Sequence, residues 1–362
     1  MRAITSDSFL EDFSRKNNHF PWAGQLELTY KCNLKCIHCY CRNLHNFRTK
    51  DENKELSTKE WKGILDQIRD DGCAFLIFTG GEPLIRSDFL ELYLYAKKKG
   101  FIISIFTNGA IFSDEIITYL KNFLPYSIEI TLNGITRDTY EKITQVEGSF
   151  SNVMINLKKL AANNLPIIIK SNCLKQNVNE IVLIKKFTDG LLGKAPAGKY
   201  YFKYDPSVYP RLDGDRTNLR CRLSFEKLKR FKKQDVDIWS EYRRGFRDAI
   251  PKLPRNSSFL YHCSSWLNSF FIDPYGKIKF CEFSDKFSFN LKEITFRKGF
   301  YERFPKLLAQ KFKTNSKCKN CDLRSICHNC PARAFLETGN EESEVPYYCN
   351  LAKEVSKNFK KR

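Results

Sequence analysis

The stretch QLELTYKCNLKCIHC, residues 25–39, runs from an alternating apolar segment straight into three closely spaced cysteines: Cys32, Cys36 and Cys39. Alternation of this kind is typical of a β-strand, so we expect the cysteines in the loop that follows it. A structural zinc site normally takes four ligands, and three thiolates leave one position for something else. If the loop binds zinc, a nearby residue must occupy the fourth position: His38, His45 or Cys41.

Strand-length and helix-length segments alternate from residue 25 to residue 205. The apolar segments are QLELTY, AFLIFTG, FIISIFTNG, SIEITLNG, PIIIKSN and KYYFKYD. Between the first two lies STKEWKGILDQIRDDG (57–72), which opens with a capping box formed by Ser57 and Glu60. This order predicts a parallel sheet covered by helices, either a partial barrel or an open doubly wound sheet.

Chemically informative residues follow four of the predicted strands. In both architectures, functional side chains collect at the carboxyl ends of the strands. The cysteine loop follows the first strand, and three short motifs follow the next three: Gly80-Gly81-Glu82-Pro83, Thr107-Asn108-Gly109 and Thr131-Leu132-Asn133-Gly134. The sequence therefore predicts a functional site at this edge of the sheet.

The composition indicates a folded protein rich in reduced thiols. Hydrophobic residues make up 42% of the chain, which is enough for a packed core. No secretory signal is apparent and the longest apolar runs are of strand length, so we expect a cytoplasmic location. Fourteen cysteines then favour metal binding or catalysis over disulfides. The net charge is +20; its lysines are spread along the chain, which favours solvated helix faces over a nucleic-acid or membrane partner.

The spacing C-x3-C-x2-C after a first strand, followed by GGEP, resembles the signature of the radical SAM superfamily. In that family, a partial (β/α)6 barrel carries a [4Fe-4S] cluster on three cysteines, here Cys32, Cys36 and Cys39. S-adenosylmethionine binds the remaining iron and is cleaved reductively to a 5′-deoxyadenosyl radical. The resemblance implies that the vacant position is the cofactor site.

The same resemblance implies further cofactor contacts. The GGEP turn bonds the methionine amino group in the family, and this role carries over to Gly80, Gly81 and Glu82. His38 stands where an aromatic residue usually packs on adenine, with a solvent-facing histidine as the alternative. Two residues stand at strand ends where relatives contact the nucleoside or the methionine carboxylate, although turn chemistry explains them equally well: Asn108 and Thr131.

Seven more cysteines lie near the C-terminus: Cys263, Cys281, Cys318, Cys321, Cys327, Cys330 and Cys349. Two C-x2-C pairs would suit a zinc ribbon, but five residues separate them, whereas ribbon pairs lie about 15–20 apart. The whole pattern, including C-x12-G-x4-C, resembles the SPASM extension of peptide-modifying radical SAM enzymes. It departs from that pattern between Cys327 and Cys330, where two residues replace three.

The SPASM resemblance implies two auxiliary [4Fe-4S] clusters. Their ligands would be Cys318, Cys321, Cys327 and Cys349 for one cluster, and Cys263, Cys281 and Cys330 for the other. The second set lacks a fourth cysteine, so its cluster has an open iron unless Cys221 reaches it. Glu282 directly follows Cys281, where sulfatase-maturating relatives carry an acidic base, and a surface glutamate in a hairpin is the alternative.

These patterns predict an α/β chain in which a partial (β/α)6 barrel precedes a small cysteine-rich α+β domain. The expected parts are a lead-in at 1–24, the barrel at 25–210, a helical bridge at 211–255 and the SPASM domain at 256–362. Cys73 and Cys173 fall within the barrel and are expected in its core.

The resemblance implies a radical enzyme that modifies a ribosomally made peptide or protein by crosslinking, epimerisation or oxidation. A small molecule or porphyrin is the alternative substrate, since some haem-pathway enzymes carry SPASM-type clusters. A non-catalytic metal-binding scaffold would not need intact cofactor motifs. An external electron donor of flavodoxin or ferredoxin type is expected. Because 31 residues precede Cys32, any peptide-recognition domain is expected to be a separate protein.

Overall fold

A computed structural model of the chain describes residues 19–42, 44, 54–196, 200–224, 226–227, 231, 258–261, 265–327 and 329–357. Cys263 and His45, which the sequence singles out, lie outside these residues, as does most of the expected bridge at 211–255. Within the described ranges, no helix combines the length and the apolar character that crossing a membrane requires.

Six parallel strands form the first part of the sheet, and helices follow the strands. The strands are β1 (Ala23–Thr29), β2 (Phe75–Gly80), β3 (Ile102–Thr107), β4 (Ser127–Thr131), β5 (Ile167–Asn172) and β6 (Phe202–Asp205). The helices are α1 (Thr58–Asp70), α2 (Phe89–Lys98), α3 (Asp114–Asn122), α4 (Arg137–Thr144), α5 (Ser149–Ala162) and α6 (Ile181–Leu192). The parallel sheet with covering helices, predicted from the sequence, is confirmed.

Local sequence explains where the helices begin. Ser57 caps α1: its side chain accepts a hydrogen bond from the backbone N–H of Glu60, and its own backbone N–H donates to the Glu60 carboxylate. The predicted capping box is therefore confirmed. Helix α4 was not expected from the sequence. It forms because the Thr136 side chain accepts from the N–H of Thr139, which satisfies one of the free donors of the first turn.

The C-terminal unit continues the same sheet. Its elements are α7 (Ser265–Asn268), β7 (Ser269–Ile272), β8 (Lys277–Lys279), β9 (Phe289–Asn290), α8 (Phe304–Leu308), α9 (Pro331–Thr338) and α10 (Pro346–Lys357). Strand β7 pairs in parallel with β1, from Ala23 opposite Ser269 to Leu26 opposite Ile272. Strands β8 and β9 then add antiparallel, so the strand order is β6-β5-β4-β3-β2-β1-β7-β8-β9.

The two faces of the sheet differ in polarity. Leu26, Ile130 and Ile169 are fully buried in the main core beneath the helices. Side chains alternate along a strand, so their neighbours point to the opposite side. We call this side the polar face; its members include Gln25, Glu27, Ser104, Glu129, Lys170 and Lys203.

Candidate active site

The cysteine loop begins directly after β1 and is held against the end of α4. The backbone N–H groups of Lys35 and Ile37 donate to the carbonyls of Thr144 and Ile143 at 2.9 and 3.0 Å. Burial raises the pKa of Cys36, and the neighbouring thiols of Cys39 and Cys32 raise it further. The loop therefore brings the three thiols of the motif together.

The donor set is three cysteine sulfurs, which are soft ligands and suit iron–sulfur clusters. Within the described residues, no three His, Cys, Asp or Glu side chains are arranged to hold a single metal ion. The fit of the loop to a cluster therefore depends on its thiol chemistry and on the spacing of Cys32, Cys36 and Cys39.

Cys41, one of the residues that the sequence offered to complete a zinc site, lies beside the motif. Its Sγ is 3.5 Å from the Sγ of Cys39, and the side chain is buried beside Leu44 and Tyr30. The hydrogen bond between the two thiols lowers the pKa of Cys39 and raises that of Cys41. The signal in the sequence is the C-x-C pair that closes the motif.

The GGEP turn is fastened to the end of β1 by its backbone. The N–H groups of Gly81 and Glu82 donate to the carbonyls of Thr29 and Lys31 at 2.7 and 2.9 Å. A Cβ on Gly80, where φ is +134°, would lie 2.2 Å from the carbonyl oxygen of Thr29. Glycine is therefore required here for the turn to lie against the strand that leads to Cys32.

The side chain of Glu82 is fully buried and bonded within the protein. Its Oε1 accepts from the Leu84 N–H at 3.1 Å and from the Thr107 hydroxyl at 2.8 Å. Its Oε2 accepts from the Asn108 N–H at 2.7 Å. Burial nevertheless raises the pKa of Glu82 to about 7. The carboxylate thus joins the ends of β2 and β3.

Asn108 and Thr131 stand at the carboxyl ends of β3 and β4, as predicted. The Asn108 amide donates to the side-chain oxygen of Asn33 at 2.8 Å and lies 3.7 Å from the Sγ of Cys32. Thr131 is opposite Lys170 in the register of β4 and β5. Asn108 therefore contacts the cysteine loop itself, whereas Thr131 borders the polar face.

Sequence reasoning quoted Asn133 within its motif but gave it no role. Its Oδ1 accepts from the backbone N–H of Asn172 at 2.8 Å, and its Nδ2 lies 3.3 Å from Nε2 of His38. His38 is partly buried rather than solvent-facing, and burial lowers its pKa to about 4, so the ring is neutral at pH 7. Asn133 thus ties the ends of β4 and β5 to the cysteine loop.

Five of the C-terminal cysteines line one cavity of about 250 Å³: Cys318, Cys321, Cys327, Cys330 and Cys349. Burial raises the pKa of Cys327 to about 12, and the charges of Cys349, Cys318 and Cys321 act in the same direction. These four are the residues that the SPASM resemblance assigns to one cluster. The Asn329 amide, inside the shortened C-x2-C spacing, lies 3.6 Å from the Sγ of Cys318.

Cys281 lies near Cys330. Burial raises the pKa of Cys281, with the thiol of Cys330 as the next largest contribution. Cys221, the suggested fourth ligand, is buried in another apolar group with Ile143 and Leu174. Cys73 and Cys173 are fully buried in the main core, as expected.

Glu282 points toward the polar face. Its Oε2 accepts from the Gln25 amide at 3.2 Å and from the Tyr40 hydroxyl at 3.4 Å. The Tyr40 hydroxyl also lies 3.3 Å from Oε1 of Glu27, which is fully buried. Burial, followed by the charge of Glu27, raises the pKa of Glu282. The residue is therefore partly buried between β1 and the cysteine loop.

Comparison with known proteins agrees with this geometry. The sequence model of the radical SAM superfamily matches residues 26–190. The AdoMet-dependent heme synthase of Methanosarcina barkeri is 26% identical over 89% of this chain and 94% of its own length. The subtilosin biosynthesis protein AlbA of Bacillus subtilis is 23% identical over 87% of this chain and 68% of its own length.

Solved structures share the fold. Streptococcus suis SuiB bound to S-adenosylmethionine superposes with a TM-score of 0.61, at 17% identity, over 94% of this chain and 82% of SuiB. SuiB bound to its precursor peptide SuiA gives a TM-score of 0.63 at 17% identity, over 92% of this chain and 77% of SuiB.

The chain therefore carries a radical SAM domain at residues 26–190, followed by a cysteine-rich C-terminal unit. It is a radical SAM enzyme, and this confirms the family, the fold class and the enzymatic character expected from the sequence. The radical SAM domain implies a [4Fe-4S] cluster and S-adenosylmethionine as cofactors.

Proposed function

We propose that this radical SAM enzyme modifies a ribosomally made peptide or protein by crosslinking, epimerisation or oxidation. The observation that carries the proposal is that Cys32, the GGEP turn and Asn108 meet at one edge of the sheet. The polar face lies next to this edge, and Glu282 contacts it through Gln25. AlbA, which is named for biosynthesis of the bacteriocin subtilosin, and SuiB, solved with a precursor peptide, support a peptide substrate.

The cofactors would be held by residues at the carboxyl ends of four strands, β1 to β4. Cys32, Cys36 and Cys39 would bind the cluster, and the GGEP backbone, His38, Asn108 and Thr131 would surround S-adenosylmethionine. When bound, this pair supplies a 5′-deoxyadenosyl radical that takes a hydrogen atom from the substrate. Cys318, Cys321, Cys327 and Cys349 would hold one auxiliary cluster, and Cys263, Cys281 and Cys330 the other.

Glu282 would take a proton from the substrate. Burial raises its pKa above the ordinary glutamate value, which makes the carboxylate a stronger base, and its hydrogen bonds from Gln25 and Tyr40 orient it. The same bonds make a freely solvated surface role a poor description of this residue. An electron donor of flavodoxin or ferredoxin type, a cytoplasmic location and a separate peptide-recognition protein belong to the same proposal.

A porphyrin is the second candidate substrate, favoured by one observation. The heme synthase of Methanosarcina barkeri aligns over 94% of its length, so the likeness extends through the C-terminal unit. Incubation of the reduced enzyme and S-adenosylmethionine with a candidate precursor peptide or with a porphyrin, followed by mass spectrometry, separates the two.

The first test is cofactor cleavage. Anaerobically reconstituted protein with dithionite and S-adenosylmethionine should release 5′-deoxyadenosine, and the triple variant Cys32→Ala, Cys36→Ala, Cys39→Ala should not. Cys73→Ala is the matched control, because Cys73 is a buried core thiol away from the motif. Equal cleavage by wild type and the triple variant would contradict the cofactor assignment.

A further inference from the structure

Two lysines share one carboxylate on the polar face. Nζ of Lys203 lies 3.0 Å from Oε1 of Glu129, and Nζ of Lys170 lies 3.4 Å from Oε2. The three residues stand on adjacent strands, with Lys170 directly opposite Lys203 in the register of β5 and β6. One carboxylate cannot neutralise two ammonium groups, so this trio carries an excess positive charge.

Lys170 is partly buried, and its ammonium lies over an aromatic ring whose face attracts a cation. The side chain is 25% exposed, and Nζ lies 3.2 Å from the centroid of the Phe106 ring. Burial lowers its pKa to about 8, even though Glu129 raises it. One lysine would suffice to pair with Glu129, and the more exposed Lys203 already does so at the shorter distance.

Lys170 lies close to the strand end where the proposed cofactor site is located. It stands opposite Thr131, at the end of β4 where a cofactor contact is expected. From the C-terminal unit, the charge of Glu282 also acts on Lys170 and raises its pKa. A ligand bound at Lys170 would therefore lie beside the strand end at Thr131 and would also feel the charge of Glu282.

We propose that Lys170, assisted by Lys203, binds a carboxylate of the substrate on the polar face. This inference rests on the proposed function, in that it takes the polar face as the substrate site. Two sources share the chemistry: an acidic side chain of a peptide and a propionate of a porphyrin. Glu129 positions the two ammonium groups through its ion pairs with them. When the ligand carboxylate binds, it replaces part of this pairing.

Binding is tested without turnover, by protection of Lys170 from an amine-acylating reagent in the full chain reconstituted with cluster and S-adenosylmethionine. The probes are a short peptide centred on glutamate and a tetrapropionate porphyrin, with the glutamine peptide and the porphyrin tetramethyl ester as neutral counterparts. We expect one acid probe to protect Lys170 and its neutral counterpart not to, and the protecting probe identifies the source. Protection by neither acid at millimolar concentration, or equal protection by acid and neutral forms, overturns the proposal.

Variants then separate binding from a structural role, with probe affinity measured by calorimetry. Lys170→Met should lower the affinity for the protecting probe about 10- to 100-fold, as expected for the loss of a hydrogen bond to a charged group. Lys170→Arg should restore most of the affinity, and Glu129→Gln should leave it equal or tighter. Lys159→Met, which removes an ammonium paired with Asp114 on the outer surface, is the control and should match wild type.

Unchanged probe affinity in Lys170→Met, in a variant that keeps the wild-type iron content, would mean that the trio is structural only. Release of 5′-deoxyadenosine by the wild type is recorded separately. Its absence would count against the proposed function, while the binding result for Lys170 would still stand.

Discussion

Glu82 accepts a hydrogen bond from the backbone N–H of Asn108 at 2.7 Å, and this contact joins the ends of β2 and β3 beneath the cysteine loop. The side chain of the same asparagine lies 3.7 Å from the Sγ of Cys32. The glutamate of the GGEP turn thereby helps to position a cysteine of the motif, although it does not contact that cysteine.

Glu82→Gln should destabilise the protein and weaken cofactor binding. An amide has one acceptor oxygen where the carboxylate has two, so at least one buried donor among Leu84, Thr107 and Asn108 loses its partner. We expect the free energy of unfolding to fall by about 1–3 kcal/mol, measured by urea titration of the cluster-free protein. Glu91→Gln, on the surface beside Lys62, should change it by less than about 1 kcal/mol. Equal effects would contradict the role of Glu82.

Glu282→Gln should separate cofactor cleavage from product formation. If Glu282 takes a proton after hydrogen abstraction, the variant still releases 5′-deoxyadenosine but forms about 10²–10⁴-fold less product. Gln retains the size of Glu and can still bond Gln25 and Tyr40, so a folding defect is not expected. Full product yield would remove Glu282 from the chemistry.

The C-terminal cysteines should bind iron independently of the first motif. The triple alanine variant of Cys32, Cys36 and Cys39 should retain about eight irons, from two four-iron clusters. The measurement is iron and zinc content after anaerobic reconstitution. Zinc without iron in this variant would favour the ribbon interpretation.

Arg222→Met should loosen the C-terminal unit. Its guanidinium makes two bonds to the Glu337 carboxylate on α9, at 2.7 and 2.6 Å, and a third to the carbonyl of Val208. Both charged side chains are largely buried, so removing the cation leaves Glu337 unpaired and should cost about 3–5 kcal/mol. Arg222→Lys should rescue little of this, because lysine cannot form the paired bonds. Chemical unfolding of both variants checks the prediction; full rescue by lysine would argue against it.

Lys170 should react with acylating reagents at unusually low pH. Its pKa of about 8 lies below the ordinary lysine value near 10.4, so its acylation rate should reach half its maximum near pH 8. Three charged groups face it: Glu129, Lys203 and Glu282. Because Glu129 raises this pKa, Glu129→Gln should move the midpoint lower still.

The same shift has a consequence for stability. Between about pH 8 and pH 10.4 the unfolded chain holds a proton on Lys170 that the folded protein does not. The free energy of unfolding of wild type, relative to Lys170→Met, should therefore rise across this window and be lowest below pH 8. A flat difference would contradict the lowered pKa.

Local patterns in the sequence were sufficient for the barrel. The six strands and the capping box of α1 depend on periodicity and short-range bonds, which neighbouring residues encode. The location of the functional site at the carboxyl ends of the strands was also predictable, because the carboxyl ends of parallel strands meet at the same edge of a sheet. Spacing between cysteines then linked Cys32 to the family.

Long-range contacts were beyond such patterns. Nothing near Ser269 indicates that β7 pairs with β1, since register between distant strands depends on tertiary packing. SIEITLNG and PIIIKSN stand out in the sequence only as apolar strand segments, and this obscured the role of Glu129 and Lys170 within them. Asn133 was passed over because its side-chain partners lie on two segments distant in the sequence: the cysteine loop, with His38, and β5, with Ser171 and Asn172.

The parallel pairing of β7 with β1 makes the loop at Cys32 depend structurally on the cysteine-rich C-terminal unit. Strand β1 carries hydrogen bonds to β2 along one edge and to β7 along the other, and it leads directly into Cys32. Cutting the chain before β7 would bare the edge of that strand, which invites aggregation. A chimaera that exchanges C-terminal units between relatives must therefore keep β7 with the barrel, or the loop at Cys32 loses its support.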